Sequence, residues 1–254
     1  MILEETVRTL AERLDAAQST VTDIRSLADT HTLTVEDAYA VQTALLALRQ
    51  GRGERVTGVK LGFTSKAKME QMGVSEIIVG RLTDAMCVAD GGTVELARFI
   101  HPKVEPEVAF RLGRDVDLDD PDTDIVSCVD AVAPALEIID SRYRDFRFTY
   151  EDVVADNTSA AGYVIGPWLP VGDVSDLAVR LHGQGREVRG STSAVLGAPV
   201  NALHALLDMA RRRRIPLRAG HAVLAGAATE AVPLEAGVIT CEVDGLGRVG
   251  VRGV

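Results

Sequence analysis

His101-Pro102-Lys103-Val104-Glu105-Pro106-Glu107-Val108-Ala109-Phe110 is the stretch on which the reading of this chain turns. Strand geometry sends residues two apart to the same face, so Glu105 and Glu107 project side by side while Val104 and Val108 face the other way. Two adjacent carboxylates in an otherwise apolar strand repel each other unless a cation or a proton sits between them. A hard divalent cation, magnesium or manganese, is the economical resolution. The alternative is an exposed edge strand, which Pro106 also suits because proline cannot donate to a ladder.

Thirty residues on, Glu137 interrupts the apolar run Val132-Ala133-Pro134-Ala135-Leu136-Glu137-Ile138-Ile139. An acid buried ionised and alone costs several kcal/mol, so Glu137 is the natural third ligand. Asp140, just beyond, reads as a surface residue. Upstream, Gly58-Val59-Lys60-Leu61-Gly62-Phe63-Thr64-Ser65 places one lysine in a glycine-flanked β run. Such a lysine can carry its ammonium into a cleft, where partial desolvation lowers its pKa for proton transfer; it can equally snorkel to solvent. Asp156-Asn157-Thr158-Ser159 supplies short polar groups just before the strand-like Tyr163 to Ile165.

Around this centre the chain divides in two. Ile2, Leu3, Val7, Leu10 and Leu14 recur at helical spacing, as do Val35, Ala38, Val41, Leu45 and Leu48. Thr34 with Asp37 predicts a capping box, and Gly51 a helix stop. Residues 1–54 are therefore a helical N-terminal region, and residues 55–254 a mixed body in which strands dominate. Within that body Ser65 can cap a short helix through Met72, and Thr149 another through Ala155. Leu177 to Arg189 reads as a hairpin turning at Gly183-Gln184-Gly185, and Val238 to Val251 as a closing hairpin around Asp244-Gly245-Leu246-Gly247. Pro199 opens a helix that ends in Arg211 to Arg214, a phosphate or membrane patch or, more simply, a solvated last turn complementing the helix dipole. The acidic stretch Asp115 to Asp124 is an exposed loop that lacks the glycine and terminal glutamate of an EF-hand. The fold class is α+β.

Composition bounds the partners. Of the 254 residues 46% are hydrophobic, ample for a core, and 37 acidic against 27 basic side chains leave a formal charge of −10. That balance argues against nucleic acid. The first 18 residues are too charged for a signal or transit peptide, and no run approaches a membrane span, so a cytoplasmic protein is expected. Cys87, Cys128 and Cys241 are odd in number and far apart, and read as reduced structural residues.

In order along the chain, Lys60-Leu61-Gly62-Phe63-Thr64-Ser65, His101 to Glu107, Glu137-Ile138-Ile139-Asp140-Ser141-Arg142, Ala155-Asp156-Asn157-Thr158-Ser159 and Asp244-Gly245-Leu246-Gly247 resemble the hydratase and decarboxylase branch of the fumarylacetoacetate hydrolase superfamily. The paired glutamates with the downstream glutamate are the specific element. The resemblance implies a rolled, barrel-like β body and Mg2+ or Mn2+ held by Glu105, Glu107 and Glu137. It implies a small 2-oxo acid as substrate, Lys60 beside it, and Thr64, Ser65, Asn157 and Ser159 as binding groups. Asp84 is a further catalytic candidate. Two reactions fit: decarboxylation of 2-oxo-3-hexenedioate (4-oxalocrotonate) to 2-hydroxypenta-2,4-dienoate in aromatic ring degradation, or hydration of that dienoate. The texture of Leu82 to Gly92, Asp140 to Phe146 and Gly226 to Pro233 favours the decarboxylase, with Arg142 or Arg144 as candidates for a second substrate carboxylate. A hydrolase of acylpyruvate-like bonds and a catalytically silent partner subunit are the other readings. The branch also implies a homo-oligomer and association between its hydratases and decarboxylases.

Overall fold

Thr34 accepts the Asp37 amide while Asp37 bonds back to the Thr34 amide, and this capping box starts a helix over Val35–Gly51 (α2). The helix runs through Gly51 rather than stopping before it, and the left-handed position falls to Gly53 at φ +98°. The helix before it, Glu4–Ser19 (α1), buries Leu10, Ala11, Leu14 and Ala17, while Leu3 lies outside it and is exposed. This computed structural model describes residues 2–65, 69–70, 73–183 and 185–254. Of the helix expected from Ser65 to Met72, Met69 and Glu70 are helical and most of the rest lies outside the described residues.

The strands follow as β1 (Val56–Gly62), β2 (Ile78–Thr83), β3 (Cys87–Val88) and β4 (Thr93–Val94). The two glutamate-bearing runs are β5 (Lys103–Leu112) and β6 (Val129–Ile139). A short helix, α3 (Tyr150–Ala155), is capped by Thr149 as expected and leads through a tight turn into β7 (Ala160–Ile165) and β8 (Leu169–Pro170). Then come the hairpin of β9 (Ala178–Gly183) and β10 (Arg186–Ser191), helix α4 (Pro199–Arg213), β11 (Ala222–Ala227) and β12 (Val232–Pro233). A hairpin of β13 (Gly237–Val243) and β14 (Gly247–Gly253) closes the chain.

Among the described residues these strands form two sheets. One has nine strands in the order β2-β1-β11-β5-β6-β7-β3, with β12 beside β5 and β8 beside β6; the other has five, ordered β10-β9-β13-β14-β4. β5 therefore lies inside the larger sheet, between β11 and β6, and the edge-strand alternative does not hold. Pro106 is tolerated there because the partner side is broken at its level. β11 pairs as far as Ala227 with Glu107, β12 resumes at Val232 with Val104, and in the gap the Pro106 carbonyl accepts the Ala228 amide.

Side-chain alternation on β5 divides the interior. Val104, Val108, Phe110 and Leu112 enter the main core, which is shared with the five-stranded sheet and α4. Glu105, Glu107 and Ala109 occupy the opposite face, whose neighbours Ala133, Ala135 and Leu224 are mostly small. The sheet curls on that face into a half-barrel. α1, α2 and α3 form a third cluster with Ile78 and Tyr143. Gln42 of α2 joins the layers by donating to the Val79 and Val154 carbonyls at 3.0 and 2.8 Å.

The arginine run ending α4 is an ion-paired surface. Arg212 meets Glu76, Arg213 meets Glu36 and Arg214 meets Asp119 of the acidic loop, where Asp115 also holds Arg218. Cys128 and Cys241 are buried free thiols, whereas Cys87 is exposed, so only two of the three are packing residues. No described helix is long and apolar enough to cross a membrane.

Candidate metal centre and active site

Register brings the glutamates together. Glu105 stands directly opposite Glu137 in the β5–β6 ladder, and Glu107 lies two residues along the same face. One carboxylate oxygen from each of the three lies within 4.8 Å of the others. Glu107 and Glu137 are completely buried, and Glu105 is half-buried.

Lys60 supplies the positive side chain of this cluster. Its Nζ is 2.9 Å from Glu137 Oε2 and donates to the Thr158 carbonyl at 3.2 Å. Burial alone would pull its pKa down, but Glu137, Glu105 and Glu107 together hold it above the ordinary lysine value. The lowered pKa expected from the sequence is thus reversed by its neighbours. Glu107 shifts the other way: burial and the Glu137 charge push it well above the usual carboxylate range, against Lys60 and the hydrogen bond from Gly226. That hydrogen bond, 2.7 Å from Gly226 N to Glu107 Oε2, depends on a bulge in β11 between Leu224 and Ala227. Gly226 sits at φ +117°, and a Cβ there would strike the Thr64 side chain.

Three carboxylates converge here, and the Lys60 ammonium pairs with Glu137. Glu107 Oε1 and Glu137 Oε1 have no hydrogen-bond partner among the described residues. Uncompensated buried oxygens are costly, and their number, charge and hardness fit a divalent cation such as Mg2+ or Mn2+.

A strained turn forms the wall opposite. Asn157, Thr158 and Ser159 all adopt positive φ, at 50°, 54° and 60°, between α3 and β7. The Asn157 amide is spent on backbone, accepting from Arg81 N at 2.7 Å and donating to Arg81 O at 2.9 Å. Its role is to dock the turn onto β2, so that the Thr158 carbonyl meets Lys60. Ser159 is buried beside it, and its carbonyl accepts the Asp140 amide. Gly80 makes this docking possible, since a Cβ there would lie 2.2 Å from Thr158 Oγ1 and 2.6 Å from the Asn157 carbonyl. Gly80→Ala is accordingly expected to push the turn away from Lys60 and lower kcat/KM by at least about tenfold. Steady-state kinetics with a thermal melt to confirm folding checks this; an unchanged rate would detach the turn from the reaction.

Arg142 and Asp156 anchor the same turn. Arg142 is 1% exposed, bonds to the Asp156 carboxylate and reaches the Asp140 carbonyl at 2.7 Å and the Ala160 carbonyl at 3.2 Å. Burial pushes the Asp156 carboxyl up to about 6, although Arg142 pulls against it. Arg142 is therefore unavailable to substrate, and Arg144 is paired with Asp23 instead. Asp140 is buried, not on the surface: its carboxylate accepts the Ile100 and His101 amides at 2.9 and 2.8 Å and fixes the approach to β5. A lone acid in a polar string gave no sign of that role in the sequence.

Of the other expected site residues, Thr64 is buried against Gly226, and Ser65 follows it, half-buried. Asp84 is not brought to the cluster. It lies beyond Thr83, which pairs with Val56, four positions along β1 from Lys60, and it is held by Arg55 at 3.0 Å. Gly226, Gln42, Asp156 and Arg142 were missed as site-building residues because their partners are distant in sequence.

A curled mixed sheet that gathers three glutamates from two neighbouring strands beside a lysine fits the fumarylacetoacetate hydrolase class of proteins. No protein-family model matches the chain. A 4-oxalocrotonate decarboxylase from a Pseudomonas species is 46% identical over 241 residues, 94% of both chains. A 2-keto-4-pentenoate hydratase from Paraburkholderia xenovorans is 39% identical over 94% of this chain and 93% of its own. The solved 4-oxalocrotonate decarboxylase of Pseudomonas putida G7, complexed with magnesium and adipate, superposes with a TM-score of 0.93 at 35% identity, covering 100% of this chain and 99% of that one. The chain belongs to the 4-oxalocrotonate decarboxylase and 2-keto-4-pentenoate hydratase family.

Proposed function

We propose that this protein is a lyase that decarboxylates 2-oxo-3-hexenedioate to 2-hydroxypenta-2,4-dienoate with the help of Mg2+ or Mn2+. The observation that carries the reading is the convergence of three carboxylates beside a buried lysine, in a chain 46% identical to a 4-oxalocrotonate decarboxylase. Glu105, Glu107 and Glu137 would hold the cation, whose chemistry when bound is Lewis-acid stabilisation of negative charge on a 2-oxo acid.

The bond that breaks joins C5 to the remote carboxylate. Its electron pair forms the C4–C5 double bond, the C3–C4 double bond shifts to C2–C3, and the charge arrives at the C2 oxygen. The reaction needs an electron sink and a proton for that oxygen, and no activated water. Lys60 is suited to the second task, because its ammonium is held protonated at the edge of the carboxylate cluster. The Thr158 carbonyl and Glu137 orient it, and Thr64, Ser65 and Ser159 are the residues assigned to substrate binding. Asn157 serves by holding the turn.

The hydratase is the second reading, favoured by the 39% identity to a 2-keto-4-pentenoate hydratase. Hydration needs a group to activate water, and the sequence's candidate for acid–base work, Asp84, is bonded to Arg55 away from the cluster. With 2-oxo-3-hexenedioate and Mg2+ or Mn2+, carbon dioxide release is expected to match substrate loss, while the dienoate absorbance of added 2-hydroxypenta-2,4-dienoate persists. Substrate loss without carbon dioxide sinks the decarboxylase reading. Inactivity towards both substrates leaves the silent partner subunit. The same reading carries a cytoplasmic homo-oligomer, associating with the companion hydratase and built from residues 1–54 and 55–254 as one functional unit.

A further inference from the structure

We infer that Lys103, assisted by His101, receives the remote carboxylate of the dicarboxylate substrate and so sets the preference for a diacid over a monoacid; this rests on the decarboxylase reading above. A diacid presents a second negative end, and both arginines suggested for it by the sequence are engaged, Arg142 with Asp156 and Arg144 with Asp23. On the carboxylate face of the larger sheet, Lys60 is paired with Glu137, and Arg111 is paired with Asp130 at the far end of β5. Lys103 starts β5 on the same face as Glu105 and Glu107, opposite Ile139. It makes no ion pair among the described residues, and its Nζ lies 4.3 Å from the centre of the Phe146 ring.

The distances match a six-carbon diacid. Two residues along a strand advance about 7 Å on one face. The carboxyl carbons of an extended six-carbon chain lie about 6 Å apart, from C–C bonds of about 1.5 Å. A substrate with its oxo-acid end at the glutamate cluster therefore extends its other end to the level of Lys103.

That end of the site is built. Asp145 and Phe146 both take positive φ, at 55° and 54°, and the Phe146 ring meets both Lys103 and the imidazole of His101, the latter at 4.5 Å between ring centres. His101 Nε2 is buried without a hydrogen-bond partner among the described residues. The Asp140 carboxylate locks the Ile100 and His101 amides, so the segment leading into Lys103 is held in place. An ammonium and an unsatisfied imidazole nitrogen beside one aromatic ring offer a carboxylate two charge-assisted or neutral donors.

The chemistry dictates what kind of contact this is. The remote carboxylate loses its charge as it departs, so a cation beside it stabilises the bound substrate more than the transition state. Lys103 therefore selects the diacid through KM and contributes nothing to kcat, unlike Lys60.

Magnesium-loaded protein is to be titrated calorimetrically with adipate and with hexanoate, which share chain length and differ by one carboxylate. The wild type is expected to prefer adipate by about tenfold or more. Lys103→Met should abolish most of that preference with hexanoate binding unchanged, which also shows that the variant is folded, and Lys103→Arg should retain it. In turnover, Lys103→Met should raise KM for 2-oxo-3-hexenedioate by about tenfold and leave kcat undiminished. A wild type without diacid preference, or a Lys103→Met variant that keeps it, overturns the assignment. A lysine-dependent diacid preference in a protein that releases no carbon dioxide sinks the decarboxylase reading and leaves this one standing.

Discussion

Glu107→Gln is expected to abolish cation-dependent turnover while leaving the fold intact. The substitution keeps size and shape, and its amide oxygen can still accept from Gly226 N, now 2.7 Å from Glu107 Oε2. What it removes is one of the three proposed anionic ligands, and kcat/KM should fall by about a thousandfold or more, some 4 kcal/mol of transition-state stabilisation. Stability moves the other way in metal-free protein. Burial and Glu137 make the ionised form of Glu107 unfavourable, so a neutral amide at this position should leave the melting temperature unchanged or raised.

Two further signatures accompany this variant. Mg2+ at about 100 times its Kd stabilises a protein by about 2.7 kcal/mol, so the wild-type melt should move with Mg2+ and that of Glu107→Gln should not. The sign with pH is also determined. Because the folded-state pKa of Glu107 is raised, its contribution to the stability of metal-free protein is present below the ordinary carboxyl value and is lost as pH rises through the elevated one. Glu107→Gln lacks that descent. Calorimetric melts across pH, with and without Mg2+, measure both, and full activity in the variant would remove the three-carboxylate site.

Lys60→Met should do the reverse to metal-free protein. Lys60 is 3% exposed and is the cation facing Glu137 at 2.9 Å, so its loss leaves buried carboxylates facing one another. Breaking such a pair destabilises by about 3–5 kcal/mol, and Mg2+ should restore most of the loss by supplying the missing positive charge. Catalysis should not recover with it. The ammonium proposed to protonate the C2 oxygen is gone, and kcat in saturating Mg2+ is expected to fall by about 100- to 1,000-fold. Lys60→Arg is not a rescue: the lysine stem runs against Gly80, where even a Cβ would lie 3.1 Å from Lys60 Cδ, and a guanidinium needs more room. Melting curves and rapid-quench turnover separate the two effects. Normal turnover in Lys60→Ala would make the lysine a purely electrostatic partner of the carboxylates.

Much of this was legible because it is local. Alternation put Glu105 and Glu107 on one face, a single polar residue in an apolar run singled out Glu137, and capping chemistry started α2 and α3 where Thr34 and Thr149 stand. The errors also have a common cause. Asp140 stood in a charged string that reads as surface, and nothing within several residues of it betrays that its carboxylate takes the Ile100 and His101 amides, while Arg142, a candidate for the second substrate carboxylate, is taken by Asp156. Asp84 stood in a suggestive context, but Arg55, its neighbour across the start of β1, takes its carboxylate.

The sequence by itself determined which residues carry charge into the interior and which faces of their strands they occupy, because a period of two is a property of the backbone. Only the tertiary structure decided that these residues meet. β11 and β5 intervene between β1, which carries Lys60, and β6, which carries Glu137, so on a flat sheet three strand spacings, about 14 Å, would separate them. Their side chains close to 2.9 Å because the sheet curls, with small residues lining the face that closes. The curl turns a row of repelling carboxylates and a distant lysine into one site, and the upward shifts of Glu107 and Lys60 follow from their burial and their nearness to its charges.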